Sequence, residues 1–331
     1  MASRYWVGGS GTWDALNILN WSATSGGSGG ATVPGAADDV FFDANSGAAT
    51  VTIGVGYNPS ISKLTLTGFT GVLAYGSQNI SLGGTGTIYT GATTFSVTGN
   101  PVINCTNSSS TSRTINPTAT TEANSVTINV TAGTGTVTLS TTAAVKSLNY
   151  TGFSGAGGLP GFIYGDLTIP NTMTVTASSV AVIFGATSGT QLVTTNGVLI
   201  NKPIGISALG AVVQFQDALT QGSTRAFSFV NGTLQLKNGV TSTVGIFSTS
   251  GTTQKFLQST LAGSQATLSQ ASGTVSASYL TIKDINATGG AVWEAFTTNN
   301  NVDAGNNSGW DFSSQLGRYI YTRRKNKRIL P

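Results

Sequence analysis

The 331-residue sequence has no histidine and a single cysteine, Cys105. Without an imidazole, Ser-His-Asp and Cys-His nucleophile pairs are excluded, and so are most zinc sites. One cysteine cannot build an intramolecular disulfide framework. Cys105 lies in the strand-like run Pro-Val-Ile-Asn-Cys-Thr and is expected to be a small core hydrophobe. Charged residues are scarce at 8%, against about 25% in an average globular domain. No window approaches the roughly 18 apolar residues of a membrane span. The opening Met-Ala-Ser-Arg-Tyr-Trp-Val-Gly-Gly lacks a basic stretch leading into an apolar one, so a secretory signal peptide is not expected. No segment of a dozen residues holds a capped 3.6-residue apolar period. The abundant Gly, Ser, Asn and β-branched residues disfavour helices.

What remains is a long series of short alternating runs. Examples are Thr50–Ile53, Asn79–Leu82, Ser125–Val130, Thr136–Leu139, Val212–Phe215 and Thr233–Leu236. Turns such as Asn196-Gly197, Asn231-Gly232 and Asn238-Gly239 separate them. The chain is therefore all-β. Asn-Gly pairs also signal hairpins, which keeps an antiparallel β-sandwich array as the competing fold. An internal repeat favours stacked coils. Ile61–Gly71 reads Ile-Ser-Lys-Leu-Thr-Leu-Thr-Gly-Phe-Thr-Gly, and Val145–Gly155 reads Val-Lys-Ser-Leu-Asn-Tyr-Thr-Gly-Phe-Ser-Gly. Each copy is an alternating strand running into a glycine corner plugged by an aromatic ring, Phe69 or Phe153. The spacing reads as about four coils of roughly 21 residues, with both rings buried at equivalent places on their coils. The fold expected is a single-stranded parallel β-helix of roughly a dozen coils, a rod of about 60 Å at about 4.8 Å per coil.

Residues 1–45 differ from this pattern. They carry Trp6, Trp13 and Trp21, and the remaining tryptophans, Trp293 and Trp310, fall near the far end. Terminal coils must close an open core, so these rings are expected to be caps; an aromatic sugar-binding platform is the alternative. The organisation expected is a Trp-rich cap or attachment segment (1–45), a β-helix body (46–312) and a basic extended tail (313–331). Six of the 15 basic residues are Arg318, Arg323, Arg324, Lys325, Lys327 and Arg328, which leaves a body of net charge −2 against its 11 acids. With Tyr319 and Tyr321 among apolar anchors, the tail reads as a docking peptide for a protein neighbour, with solvated disorder or phosphate binding as alternatives.

Carboxylates offer the remaining chemistry. Asp38, Asp39 and Asp43 cluster, as do Asp303 and Asp311, and a solenoid could bring Asp284 to Asp303. Glycosidic cleavage needs two facing carboxylates, but nothing in the sequence selects a pair, and turn caps are the expected role. The run Asn299–Asn307 resembles an oxygen-rich calcium loop without its regular carboxylates and reads as an Asn-rich turn. No catalytic residue, metal or cofactor is expected.

Three stretches carry a family resemblance. They are Arg-Tyr-Trp-Val-Gly-Gly-Ser-Gly-Thr-Trp-Asp (4–14) with Asp-Asp-Val-Phe-Phe-Asp (38–43), the runs 189–197 and 212–236, and the closing runs 262–269, 279–284 and 309–312. Together they resemble β-helical structural proteins of tailed bacteriophages. The basic tail lies outside the resemblance. What it implies is a right-handed β-helix in a virion protein of tail-fibre or adhesin type, presenting a rigid surface to a host glycan. A capsid-surface decoration and a polysaccharide-depolymerising tailspike are the alternatives. The partners implied are other virion proteins and further copies of the chain, a trimer by class. Neither membrane insertion nor nucleic acid is expected.

Overall fold

The computed structural model describes residues 1–92 and 96–314. The fold is all-β, with parallel strands stacked into a β-solenoid. The chain divides into two compact units, Met1–Ala177 and Ser178–Pro331. Together they hold about 11 turns.

In the first unit the chain winds past three faces in the order A, B, C. Face A stacks Ser3–Trp6, Asp39–Phe41, Lys63–Thr65, Gly86–Thr90, Arg113–Asn116, Thr136–Leu139, Ala156–Gly157 and Thr174–Val175. Face B stacks Gly11–Trp13, Thr50–Ile53, Val72–Gly76 and Ser96–Gly99. Face C stacks Ser60–Ile61, Asn79–Leu82, Val102–Cys105, Thr127–Val130, Leu148–Asn149 and Leu167–Thr168. Alternation sends every second residue inward, so each face buries columns of like residues. Val40, Leu64, Tyr89, Ile115 and Leu139 form one column on face A. Ile80, Ile103, Ile128, Leu148 and Leu167 form one on face C. All ten are buried. Cys105 is fully buried between Leu82 and Val130, and burial pushes its thiol up to about 12.

The cap chemistry lies inside the ladder. Residues 1–45 supply the first strands of faces A and B. Trp21–Ser22 pairs antiparallel with Ser3–Trp6 and covers the free edge of face A, where an exposed parallel edge would recruit another chain. Trp6, Trp13 and Trp21 are fully buried. They pack edge-on at 5.2 Å and close on Phe42, which lies 5.3 Å from Phe69.

The repeated corner behaves in an unexpected way. Both copies make the same turn. Phe69 N–H donates to Leu66 O at 3.1 Å and Phe153 N–H to Tyr150 O at 2.9 Å. The third residue of each turn, Gly68 or Gly152, sits at φ +85° or +89°, as a type II turn requires. A Cβ on Gly71 would fall on the Ala49 carbonyl oxygen, and one on Gly155 on that of Gly135, in the coil beneath. Phe69 and Phe153 are both fully buried, but they do not occupy equivalent places. Leu64 lies on face A and Leu148 on face C. Phe69 therefore plugs the corner from A to B, and Phe153 the corner from C to A. From Leu64 three whole coils lead to Leu139 on face A, and Leu148 lies two faces further on. The spacing is thus not a whole number of coils. The corners from A to B and from C to A both accept this tight turn, so the motif encodes a turn and carries no information about which corner it occupies. Coil length is also uneven: 25 residues separate Asn79 from Asn104 and Asn104 from Asn129.

The second unit folds on the same principle. Two long strands, Ile204–Phe215 and Ala226–Leu236, pair with each other through two register shifts. With Val182–Phe184, Thr190–Thr194, Ile246–Thr249, Lys255–Ser259, Leu280–Lys283 and Val302–Asp303 they make face D. Leu199–Ile200, Thr220–Gln221, Thr241–Val244, Ala266–Gln270 and Ile285–Gly289 make face E. Thr274–Ser276, Val292–Glu294 and Trp310–Asp311 make face F. On face F the buried Trp293 lies 4.9 Å from the half-buried Trp310 and 6.1 Å from Phe247.

Replacing Gly155 with alanine forces the two coils apart and should cost about 1–3 kcal/mol. Gly35→Ala, whose Cβ would meet only Asp38 Oδ2 at 4.0 Å, should stay within about 0.5 kcal/mol. Urea unfolding of the two variants checks the difference.

Candidate functional site

The side chains singled out in the sequence fall into three groups. The first three tryptophans are fully buried, which removes them as a sugar platform. The tail residues Arg318, Tyr319, Tyr321, Arg323, Arg324, Lys325, Lys327 and Arg328 lie outside the described residues. The acidic residues are engaged as structural acceptors. Asp38 accepts from the Ala2 and Gly35 amides, both at 3.1 Å, and Asp39 approaches Lys63 at 3.7 Å. Asp43 caps the turn Ala44–Ser46 in a reciprocal capping box. Asp217 accepts from the Thr195 and Asn196 amides. Asp284 is buried and accepts from Gly263 N–H at 3.1 Å and Asn306 Nδ2 at 2.6 Å, while Asp303 accepts from Gly305 N–H and Asn307 Nδ2. Asp303 thus holds its own turn, while Asp284 ties the neighbouring coils on either side through Gly263 and Asn306. In the Asn-rich stretch, Asn301 donates to Ala277 O and Phe296 O and accepts from Leu280 N–H. Its side chain binds backbone, as a turn requires.

Buried cations are structural too. Arg113 donates to Asn107 O at 3.0 Å and Ala132 O at 2.8 Å, and its guanidinium lies 5.6 Å from the centre of the Phe153 ring. It ties two successive coils together beneath the second copy of the corner. Lys255 donates to Thr253 O at 3.0 Å, with its ammonium 5.7 Å from the Tyr279 ring. Lys202 is buried, and desolvation lowers its ammonium to about 8.

What the surface offers is regular. On face C, Asn104 donates to Asn79 at 3.0 Å and Asn129 to Asn104 at 2.9 Å, an outward asparagine ladder. On face D, Gln214, Gln235 and Gln258 stand in register. On face E, Thr220, Thr243, Ser269 and Thr288 form one hydroxyl column. Thr241, Thr267, Asn286 and Ser308 form the next column.

One face is interrupted. After Ser96–Gly99 the next coil has no strand at the face B position, and residues 117–125 carry the short turn Glu122–Asn124 there instead. Pro117 has no N–H to give to a ladder. Strand structure returns at the same position with Ala144–Val145, paired to Phe162–Ile163. The break leaves a cleft of about 400 Å³ lined by Val97, Gly99, Pro101, Glu122, Ser125 and Lys146, among others. Tyr164 reaches back across the intervening coil, and its hydroxyl donates to Thr120 O at 3.2 Å. Burial raises its phenol, and the nearby Glu122 carboxylate adds to the rise. Phe162 stacks beside Tyr164 at 6.3 Å on the outward side of the same strand. Sequence reading passed over this cluster. Its one trace is Gly161-Phe-Ile-Tyr-Gly165, in which both outward positions of a strand are aromatic.

Lys202 gives the second unit a measurable pH response. Between about pH 8 and the ordinary lysine value near 10.4, the unfolded chain holds a proton that folded Lys202 has lost. Stability therefore rises with pH across that window. Above about pH 10 the raised phenols of Tyr75, Tyr89 and Tyr150 act in the opposite sense. The difference in unfolding free energy between wild type and Lys202→Met, followed from pH 7 to 10, should isolate this rise; equal slopes would contradict it.

The chain matches no family profile, and no curated protein or solved structure is significantly similar to it.

Proposed function

We propose that this is a non-enzymatic structural protein of the bacteriophage tail-fibre or adhesin type, whose rigid β-solenoid is held on a virion and presents its faces to a host-surface glycan. The observation that carries the reading is the division of labour among polar side chains. The carboxylates traced above close turns or tie neighbouring coils, whereas uncharged Asn, Gln, Ser and Thr stand outward in columns fixed by the strand ladder. Such columns offer donors and acceptors at the interstrand spacing of about 4.8 Å, already ordered before a ligand arrives. Oligomerisation, a trimer by class, would multiply weak contacts into avidity. The motifs at both ends and in the middle of the body support the phage assignment. A capsid-surface role draws support from a different place. Leu16, Ile18 and Leu19 are exposed aliphatics beside the first coil, at 86%, 47% and 72%, and apolar surface of this kind suits a protein neighbour.

Two measurements test this. Surface plasmon resonance over immobilised capsular polysaccharides and lipopolysaccharides should show retention on at least one, with no new reducing ends in the supernatant; release of reducing ends would make the protein a depolymerase. Deleting Arg318–Pro331 should abolish incorporation into particles, and normal occupancy of the truncated protein would show that the anchor lies elsewhere.

A further inference from the structure

Resting on the adhesive reading, we infer that the cleft at the break in face B is a subsite for one neutral pyranose unit of a polysaccharide. Three independent features converge there. The first is space. A volume of about 400 Å³ falls within the usual range of small-ligand sites, about 300–1,000 Å³. The second is an interrupted ladder. Among the described residues, Ser96–Gly99 pairs on one side only, with Val72–Gly76. On faces A and C, strands between the two ends of each stack pair with a strand on both sides. At the break the chain leaves a polar strand edge beside an open cleft, so a hydroxyl-rich ligand meets backbone groups as well as side chains.

The third feature is the chemistry of the walls. Glu122 and Lys146 both line the cleft, with Ser125 between them in sequence. A carboxylate accepts from sugar hydroxyls, an ammonium donates to them, and the two charges together give the cleft no net sign. That selects an uncharged ring over a uronic acid or a phosphorylated sugar. Tyr164 lies outside the cleft's lining but beside the stretch that carries Glu122, and there it would supply an apolar face. It is half-buried, pinned by its hydroxyl to Thr120 O two residues before Glu122, and braced by Phe162. A ring held in this way loses little conformational freedom when the C–H face of a pyranose packs against it. The cleft binds and does not cut: its lining includes one carboxylate, Glu122, and hydrolysis would need a second facing it.

The experiment uses the full chain as wild type, Glu122→Gln, Tyr164→Ala and Tyr164→Phe. Each is run over the same immobilised capsular polysaccharides and lipopolysaccharides, and titrated with neutral tri- to hexasaccharides of glucose, galactose, mannose and N-acetylglucosamine. Glu122→Gln and Tyr164→Ala should each weaken binding at least about tenfold, the size of one lost charged or well-packed contact. Tyr164→Phe, which keeps the ring, should bind within about threefold of wild type, and all four proteins should unfold at similar temperatures. If wild type binds and both Glu122→Gln and Tyr164→Ala bind as tightly, the cleft is not the subsite and the adhesive reading stands. If wild type retains only polymers of charged sugars, the neutral specificity is overturned. If it binds no saccharide of either set, the subsite and the adhesive reading fall together.

Discussion

In-register stacking of parallel strands is the constraint on which everything else depends. In each unit a coil has few hydrogen-bonding partners of its own, and most of its backbone groups are satisfied by the coil above or below. Stacking in register places like on like. Apolar residues fall over apolar residues inside, as in the column from Val40 to Leu139, and amides over amides outside, as in Asn79, Asn104 and Asn129. Corners must then be tight, which is why Gly71 and Gly155 sit against carbonyls of the coil beneath. The same constraint makes the first strands a hazard, and the antiparallel Trp21–Ser22 strand together with the tryptophan cluster closes them.

Much of this was legible in the sequence. Period-two alternation bounded by Gly and Asn turns gave the strands, and the scarcity of charge and of helix formers gave the class. The tryptophans stood out in the sequence because large rings concentrate where the repeat pattern fades, and Trp6, Trp13 and Trp21 are buried within the first coils. The repeat itself was readable as a strand and a plugged corner, because a type II turn with glycine at its third position is a local instruction. Its place on the coil was not readable. Coil lengths vary, and two different corners accept the same local turn, so the similar sequences at Ile61–Gly71 and Val145–Gly155 stand at different corners. Nor did the sequence show that the body divides at Ala177. Buried Arg113, Lys202 and Lys255 were equally hidden, because a cation satisfied by backbone carbonyls, as Arg113 and Lys255 are, leaves no side-chain pattern in the sequence. The cleft was missed for a related reason: it arises from a strand that fails to form, and an absent strand has no motif.

That missing strand shapes the functional account. In a continuous ladder the carboxylates and cations described above are tied to turns, to neighbouring coils or to each other, and most outward columns are built of Asn, Gln, Ser and Thr. Departures from the ladder are therefore where recognition can gather. In the first unit one such departure is the face B position between Ser96–Gly99 and Ala144–Val145, where Glu122 and Lys146 line a cleft and Tyr164 is tied to Thr120 beside it. The flat columns of faces C, D and E supply ordered but individually weak contacts, suited to a long polymer that lies along several coils.

The most direct test of this account is a crystal structure of the full chain with a bound oligosaccharide taken from a polysaccharide that the protein retains. The account expects one pyranose ring in the cleft, within hydrogen-bond distance of Glu122 and packed on Tyr164, with the remaining units running over neighbouring coils. Density for the sugar on an uninterrupted face, with the cleft holding only solvent, would contradict it.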